Sequence, residues 1–340
     1  MTHYNLALLG FGNVGQSLAR LLRNKQNELQ AKYGISFTIT AIATGSHGRA
    51  IDPAGIDIEA ALQRMAAGDS LNDLSAQPAP VDNIAFIQAS GADVLFENTP
   101  VSYADGQPAI NHLTVALQAG MYACTANKGP VVHGYRQLTD LAAQQGRKFY
   151  FESTVMDGAP VFAVFRQLPA ANLQRIQGVL NSTTNLILTR MEGGEGFDEA
   201  VAYAQSIGIA ETDPSGDVDG WDASVKICAL VTVLMGVPLK PQQVDRTGIR
   251  EITPEQIAAA QAAGKRWKLV CTAERNGDQV SARVAPQMVG PETPMYTIDG
   301  TTSIVQFESD VLGQLSLIES DPSPDTTAYG LLADFINAVA

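Results

Sequence analysis

Residues 10–15 read GFGNVG and stand between a short apolar run, YNLALL, and the stretch VGQSLARLLRNKQNELQAKYG. Apolar residues in that stretch recur at helical spacing up to a Gly stop. Glycines so spaced, after a strand and at a helix start, permit a tight turn and a close approach of backbone to a pyrophosphate. They also leave N–H groups and the helix dipole aimed at the anion. A merely glycine-rich turn is the competing reading, but the flanking strand and helix favour a dinucleotide cradle of Gly10, Phe11, Gly12, Asn13, Val14 and Gly15.

The segments that follow continue the alternation. SFTITAIAT and ADVLFENTP read as strands, PAINHLTVALQAG as a helix, MYACTA as a strand, and YRQLTDLAAQQG as a helix before KFYFEST. NIAFIQ, after an irregular polar stretch over residues 46–82, reads as an edge strand. Alternating strands and helices imply an α/β, doubly wound, Rossmann-type domain over residues 1–150. From residue 151 the pattern becomes α+β. RIQGVLNSTTNLILTRM reads as strand, turn and helix, and WDASVKICALVTVLMG as a long buried helix. KRWKLVCTAERNGDQVSARVAPQMV reads as an antiparallel pair turning at NGD. We therefore expect a catalytic, substrate and dimerisation domain over 151–309, with residues from about 310 to 340 returning to the first domain as TAYGLLADFINAVA.

Composition narrows the partners. The chain has 340 residues, 45% of them hydrophobic and 17% charged, enough for a sizeable core. A formal net charge of −13 argues against nucleic acid and anionic membranes, which both reward lysine and arginine. Cys124, Cys228 and Cys271 lie far apart in apolar surroundings, as buried free thiols in a reducing compartment would. No basic n-region precedes the first apolar run and no run is long enough to span a bilayer, so the expected location is cytoplasmic.

Other motifs point to a pocket. The acid that an NAD site expects at the end of the second strand is absent from ATGSHGR, which offers Thr44, Ser46, His47 and Arg49 instead, so NADP is the favoured cofactor and NAD the alternative. Thr99 and Pro100 of FENTPV, and Lys128 of TANKGP, follow strands at the carboxyl edge where ligands bind in open α/β sheets. A solvated loop lysine is the bland alternative for Lys128. Residues 211–226, ETDPSGDVDGWDASVK, gather Glu211, Asp213, Asp217, Asp219 and Asp222 before one Lys226. Set as a calcium loop, the stretch has Lys226 where a bidentate glutamate is required, so that reading fails. Asp222 and Lys226 are four apart on a helix face, so an ion pair at a helix start remains open beside a substrate pocket that needs carboxylates and one proton donor.

Together GFGNVG, ENTP, TANKGP, FESTVMDGAPV, GVLNSTTNLIL, GIAETDPSGDVDGWDASVK and TAYGLLADFI resemble the homoserine dehydrogenase family, in its short form without regulatory or kinase domain. Many members of the family have a glycine-rich turn before the last helix, where this chain has SDPSPDTTAYG, a non-glycine turn over Ser320–Thr327. The resemblance implies reduction of L-aspartate 4-semialdehyde to L-homoserine with NAD(P)H, on the route to threonine and methionine. It implies Lys226 as proton donor and Lys128 at the nicotinamide and substrate. Glu211 would hold the substrate ammonium, with Asp217, Asp222, Asn181 and Thr183 shaping the pocket. It also implies a structural monovalent cation, such as sodium, at Glu152 and the carbonyls near Val155, Asp157 and Ala159, and a homodimer. Two other readings compete. A phosphorylating semialdehyde dehydrogenase would need an activated cysteine. A non-catalytic or differently specific NAD(P)-binding homologue would share the fold alone.

Overall fold

A computed structural model describes residues 1–78 and 80–340, which divide into two compact units, Met1–Pro160 with Ser323–Ala340, and Val161–Pro322.

The first unit begins with β1 (Thr2–Leu9), α1 (Asn13–Glu28), β2 (Ile35–Ala43) and β3 (Arg49–Ile51). Then come α2 (Ile58–Ala67), α3 (Asn83–Ala89), β4 (Val94–Glu97), α4 (Ala109–Gln118), β5 (Tyr122–Thr125), α5 (Lys128–Gln144) and β6 (Phe149–Tyr150). The six strands run in the order β3-β2-β1-β4-β5-β6, all pairs parallel except the antiparallel β2–β3. Strand order reverses at β1, which has β2 on one side and β4 on the other. That switch point opens a crevice at the carboxyl ends of the strands. One apolar cluster includes Leu18, Leu22, Phe96 and Phe335; a second includes Phe86, Ile87, Leu95 and Met121. NIAFIQ is not a strand but α3. The Asp82 carboxylate caps it, accepting from Ala85 N at 2.8 Å, and adjacent Phe86 and Ile87 are both buried, a spacing that an alternating edge strand does not give.

The second unit holds α6 (Val161–Arg166), β7 (Leu173–Val179), α7 (Ser182–Glu192), α8 (Phe197–Ser206), α9 (Ser215–Val218), α10 (Trp221–Leu230) and β8 (Asp245–Arg246). It continues through α11 (Pro254–Ala262), β9 (Arg266–Asn276), β10 (Gln279–Val289), β11 (Ser303–Ser309) and β12 (Gly313–Glu319). Its sheet runs β12-β11-β7-β9-β10-β8, antiparallel except where β8 joins β10. β9 and β10 pair residue by residue from Asn276↔Gln279 to Arg266↔Val289, across the NGD turn.

The last helix, α12 (Pro324–Val339), belongs to the first unit, where Phe335 packs edge-on against Tyr4 and Phe96. The boundaries differ from those expected. Residues 151–160 join the first unit, and residues 310–322 stay with the second because β12 takes its ladder hydrogen bonds from β11. The non-glycine turn caps α12. Ser323 accepts from Thr326 N at 3.2 Å, and the Asp157 carboxylate accepts from Ser323 N at 2.9 Å and Thr326 Oγ1 at 2.8 Å.

Candidate active site

In the first unit each glycine of GFGNVG has a separate physical reason. Gly10 lies at φ +98°, and a Cβ there would stand 2.3 Å from the Asn98 carbonyl oxygen. A Cβ on Gly15 would stand 2.3 Å from the Gly10 carbonyl oxygen, so this glycine lets α1 close onto the turn. A Cβ on Gly12 would meet nothing within 4 Å, so open space faces the N-terminus of α1. That terminus has neither a capping side chain nor an acidic residue in its first turn, which leaves its N–H groups and dipole for an anion. Phe11 is buried beneath the loop while Asn13 is exposed and Val14 half-buried.

The loops after β4 and β5 are stitched together beside this cradle. Asn127 Nδ2 donates to the carbonyls of Thr99 (3.0 Å) and Pro100 (3.4 Å), and its Oδ1 caps α5 by accepting from Gly129 N at 3.0 Å. Lys128 is therefore the first residue of α5, half-buried, rather than a solvated loop lysine. Beneath lies Glu97, fully buried, which accepts from Thr99 N (3.2 Å), Thr99 Oγ1 and Thr125 Oγ1 (3.1 Å). Asn98, which sequence reasoning passed over within FENTPV, has both side-chain polar atoms buried and without a hydrogen-bond partner. Buried amides are almost always satisfied, so an orphaned one beside a glycine cradle fits a site that a polar ligand completes.

The β2–β3 turn closes on itself, with Thr44 Oγ1 accepting from His47 N at 2.6 Å and Ser46 Oγ 2.8 Å from His47 Nδ1. Arg49 is turned to Asn83, whose Oδ1 accepts from Nε at 3.3 Å and Nη2 at 3.0 Å. In the segment after β6, Glu152 is buried, with its backbone N donating to Asp334 Oδ2 at 2.8 Å. The Asp157 carboxylate is turned to α12, so any cation there would rely on carbonyls and Glu152; no group of three or more His, Cys, Asp or Glu side chains among the described residues is arranged to hold a metal.

In the second unit the acidic stretch splits by direction. Asp213 turns back to cap Ser215 N (3.0 Å) and Asp219 pairs with Arg250, both at the surface. The Glu211 carboxylate is exposed and makes no hydrogen bond or ion pair among the described residues; only its carbonyl accepts, from Gln205 Nε2 at 3.1 Å. Asp217 and Asp222 turn inward. Asn181, which N-caps α7 through its Oδ1 (2.8 Å from Thr184 N), donates Nδ2 to Asp217 Oδ1 at 2.6 Å and to Asp222 Oδ2 at 3.0 Å. Lys226 Nζ donates to the Leu180 carbonyl at 2.8 Å and lies 3.1 Å from Asp222 Oδ2. Burial first, and then the neighbouring Asp222 charge, raises the Asp217 carboxyl above its ordinary value, with Asn181, Lys226 and Thr183 opposing. Thr183 also donates to the Ile209 carbonyl at 3.3 Å. Asn181, Thr183, Asp217, Asp222 and Lys226 thus form one cluster where β7 ends and α7, α9 and α10 begin, with Glu211 in the exposed segment before α9.

The thiols do not suit a covalent mechanism. All three cysteines are buried; burial pushes Cys124 well above its ordinary value, and Cys271 up to about 12.

Comparison with known proteins gives the same picture along the length of the chain. The family model described as homoserine dehydrogenase matches residues 160–336, and that described as homoserine dehydrogenase, NAD binding domain, matches residues 10–152. An NAD(+)-dependent homoserine dehydrogenase of Pseudomonas canavaninivorans is 34% identical over 99% of this chain and 96% of its own length. A homoserine dehydrogenase of Methanocaldococcus jannaschii is 32% identical over 98% of each. The solved structure of a hyperthermophilic archaeal homoserine dehydrogenase in complex with NADPH matches with a TM-score of 0.84 at 28% identity, over 99% of this chain and 98% of that one.

Proposed function

Because the chain belongs to the homoserine dehydrogenase family, we propose that it reduces L-aspartate 4-semialdehyde to L-homoserine, serving threonine and methionine biosynthesis. The observation that carries this reading is the Lys226–Asp222–Asn181–Asp217 cluster, a cation held among buried carboxylates at the ends of four elements. Such a cluster recognises a small cationic substrate and has a proton to give.

When bound, the nicotinamide dinucleotide supplies the hydride; the glycine loop, Asn98, Thr99 and Pro100 hold it. Lys128, at the start of α5, orients the nicotinamide. The Lys226 ammonium transfers a proton to the carbonyl oxygen as negative charge builds there, and its hydrogen bond to the Leu180 carbonyl fixes the direction of Nζ. Asp222 keeps that ammonium in place, and Asn181 bridges Asp217 and Asp222 by donating to both. Thr183 supports Asp217 from α7. Glu211, exposed and uncompensated, is suited to the substrate ammonium through a charge-assisted hydrogen bond.

The cofactor choice includes both NADP and NAD. No acidic residue stands in the turn Thr44–Arg49 to repel a 2′-phosphate, while Arg49 is engaged by Asn83. A monovalent cation such as sodium at Glu152, Val155, Asp157 and Ala159 would be structural, with no part in the chemistry. A homodimer is supported by Met288, Val311, Leu312 and Ile318, large apolar residues left exposed on β10, on β12 and in the turn before it. A monomer of 36.0 kDa by light scattering at micromolar concentration would remove the dimer.

The reaction is tested by following NADPH and NADH oxidation by purified protein with and without aspartate semialdehyde. Dinucleotide binding without turnover would instead support a non-catalytic homologue on the same fold.

A further inference from the structure

Within the first unit, one line of hydrogen bonds joins the β2–β3 turn to the loops after β4 and β5. Arg49 stands opposite Ala43 in the β2–β3 register, and the Ala43 carbonyl accepts from Gly10 N at 3.0 Å and Phe11 N at 3.1 Å. The Arg49 backbone is thus one strand away from the entry to the glycine loop. Its side chain does not extend freely from there, since Nε and Nη2 both donate to Asn83 Oδ1.

The amide of Asn83 is fixed in that orientation from its other side. Asn83 Nδ2 faces His112 Nε2 at 3.2 Å, which requires Nε2 to accept and places the imidazole proton on Nδ1. His112 Nδ1 in turn faces Glu97 Oε1 at 3.5 Å, and both residues are buried. Every donor in the line, from Arg49 through Asn83 and His112, points toward a buried carboxylate. Turning the Asn83 amide over would set its NH2 against the Arg49 guanidinium and its oxygen against the His112 lone pair.

A 2′-phosphate rewards an arginine at the end of the second strand only if its guanidinium is available. We propose that Asn83 is a specificity-determining residue: by holding Arg49 it withholds the guanidinium from a 2′-phosphate, so the site takes NADH and NADPH with similar affinity. The inference rests on the dinucleotide-binding reading of this unit. It adds a residue on α3 to a choice otherwise sought in the turn after β2.

Titrating purified protein with NADPH and with NADH, by calorimetry or by fluorescence of the reduced nicotinamide, tests it without turnover. Asn83→Ala frees Arg49 and tightens NADPH binding about tenfold, the scale of one released hydrogen bond to a charged group, with NADH unchanged. The gain disappears in the double variant Asn83→Ala/Arg49→Ala. Arg49→Ala alone leaves the ratio of the two affinities unchanged. This arm needs no Asn83 variant to fold, and a selective tenfold loss of NADPH affinity there would mean that Arg49 already meets the phosphate, overturning the proposal. An unaltered ratio in folded Asn83→Ala overturns it equally. Semialdehyde turnover on the same samples separates the two readings. Intact binding without turnover sinks the proposed reaction, whereas an unaltered ratio with intact turnover sinks only the role of Asn83.

Discussion

Lys226 Nζ lies 3.1 Å from Asp222 Oδ2 one turn away on α10, and the two side chains are only 15% and 11% exposed. The i,i+4 pair that the spacing allowed is therefore formed, but not as a surface bridge. At the surface such a pair contributes a few tenths of a kcal/mol. Here Asn181 bonds the same carboxylate and a backbone carbonyl bonds the same ammonium, so the pair is one part of a buried polar cluster.

Lys226→Ala separates structure from chemistry. We expect turnover to fall by roughly 10²–10⁴-fold, the usual worth of one acid–base group, with dinucleotide affinity retained. The melting temperature also falls, because Asp222 loses its cation in a nearly closed site. A folded variant that turns over at the wild-type rate would refute the assignment.

Asp217 is a carboxylate that the fold does not favour. Its pKa is raised by burial and by Asp222, so the folded protein holds its proton to higher pH than the unfolded chain does. The contribution to stability is complete below the unfolded value and lost as pH rises through the folded one, so at neutral pH the ionised group is a net cost. Asp217→Asn keeps an acceptor for Asn181 and removes the repulsion. Its melting temperature should exceed that of the wild type at pH 7 by about 2–4 °C, and the advantage should shrink toward pH 4, while KM for the amino-acid substrate rises. Calorimetry at the two pH values checks the sign.

Lys268 offers the opposite test, although Glu192 and Asp299 lie near enough to oppose the shift. It is fully buried, donates to Asn185 Oδ1 at 2.8 Å and to the Ile298 carbonyl, and burial, aided by Arg266, pushes it down from 10.5 to about 8. Between those values the unfolded chain binds more protons than the folded one, so this group adds stability as pH rises across the window and loses it as pH falls back. Against Lys268→Met, the wild type should therefore gain in melting temperature from pH 8 to 10.5. A constant difference between the two proteins would show that Lys268 stays charged in the fold.

Asn98→Ala should weaken binding of NADH and NADPH alike, by roughly 10-fold, the scale of one or two lost hydrogen bonds. It should leave the melting temperature of the free protein nearly unchanged, since the amide has no protein partner to lose. A large drop in melting temperature with normal affinity would assign the amide to the fold instead.

What the sequence determined is what short-range periodicity and turn chemistry encode. The strand–GFGNVG–helix unit, the β9–β10 hairpin across NGD and the acids of residues 211–222 are all local, and each reads directly. NIAFIQ misled because six residues satisfy either period, and the deciding signal was the Asp82 cap just before them. Tertiary structure decided the rest, because it brings together groups that are distant in the chain. Lys226 meets the Leu180 carbonyl across 46 residues and Arg49 meets Asn83 across 34. Asp217 and Asp219, two apart in sequence, end one turned inward and one at the surface because Asn181 takes one and Arg250 the other. Composition gives charge, but only burial and a fixed partner decide whether that charge is a solvated surface group or part of a site.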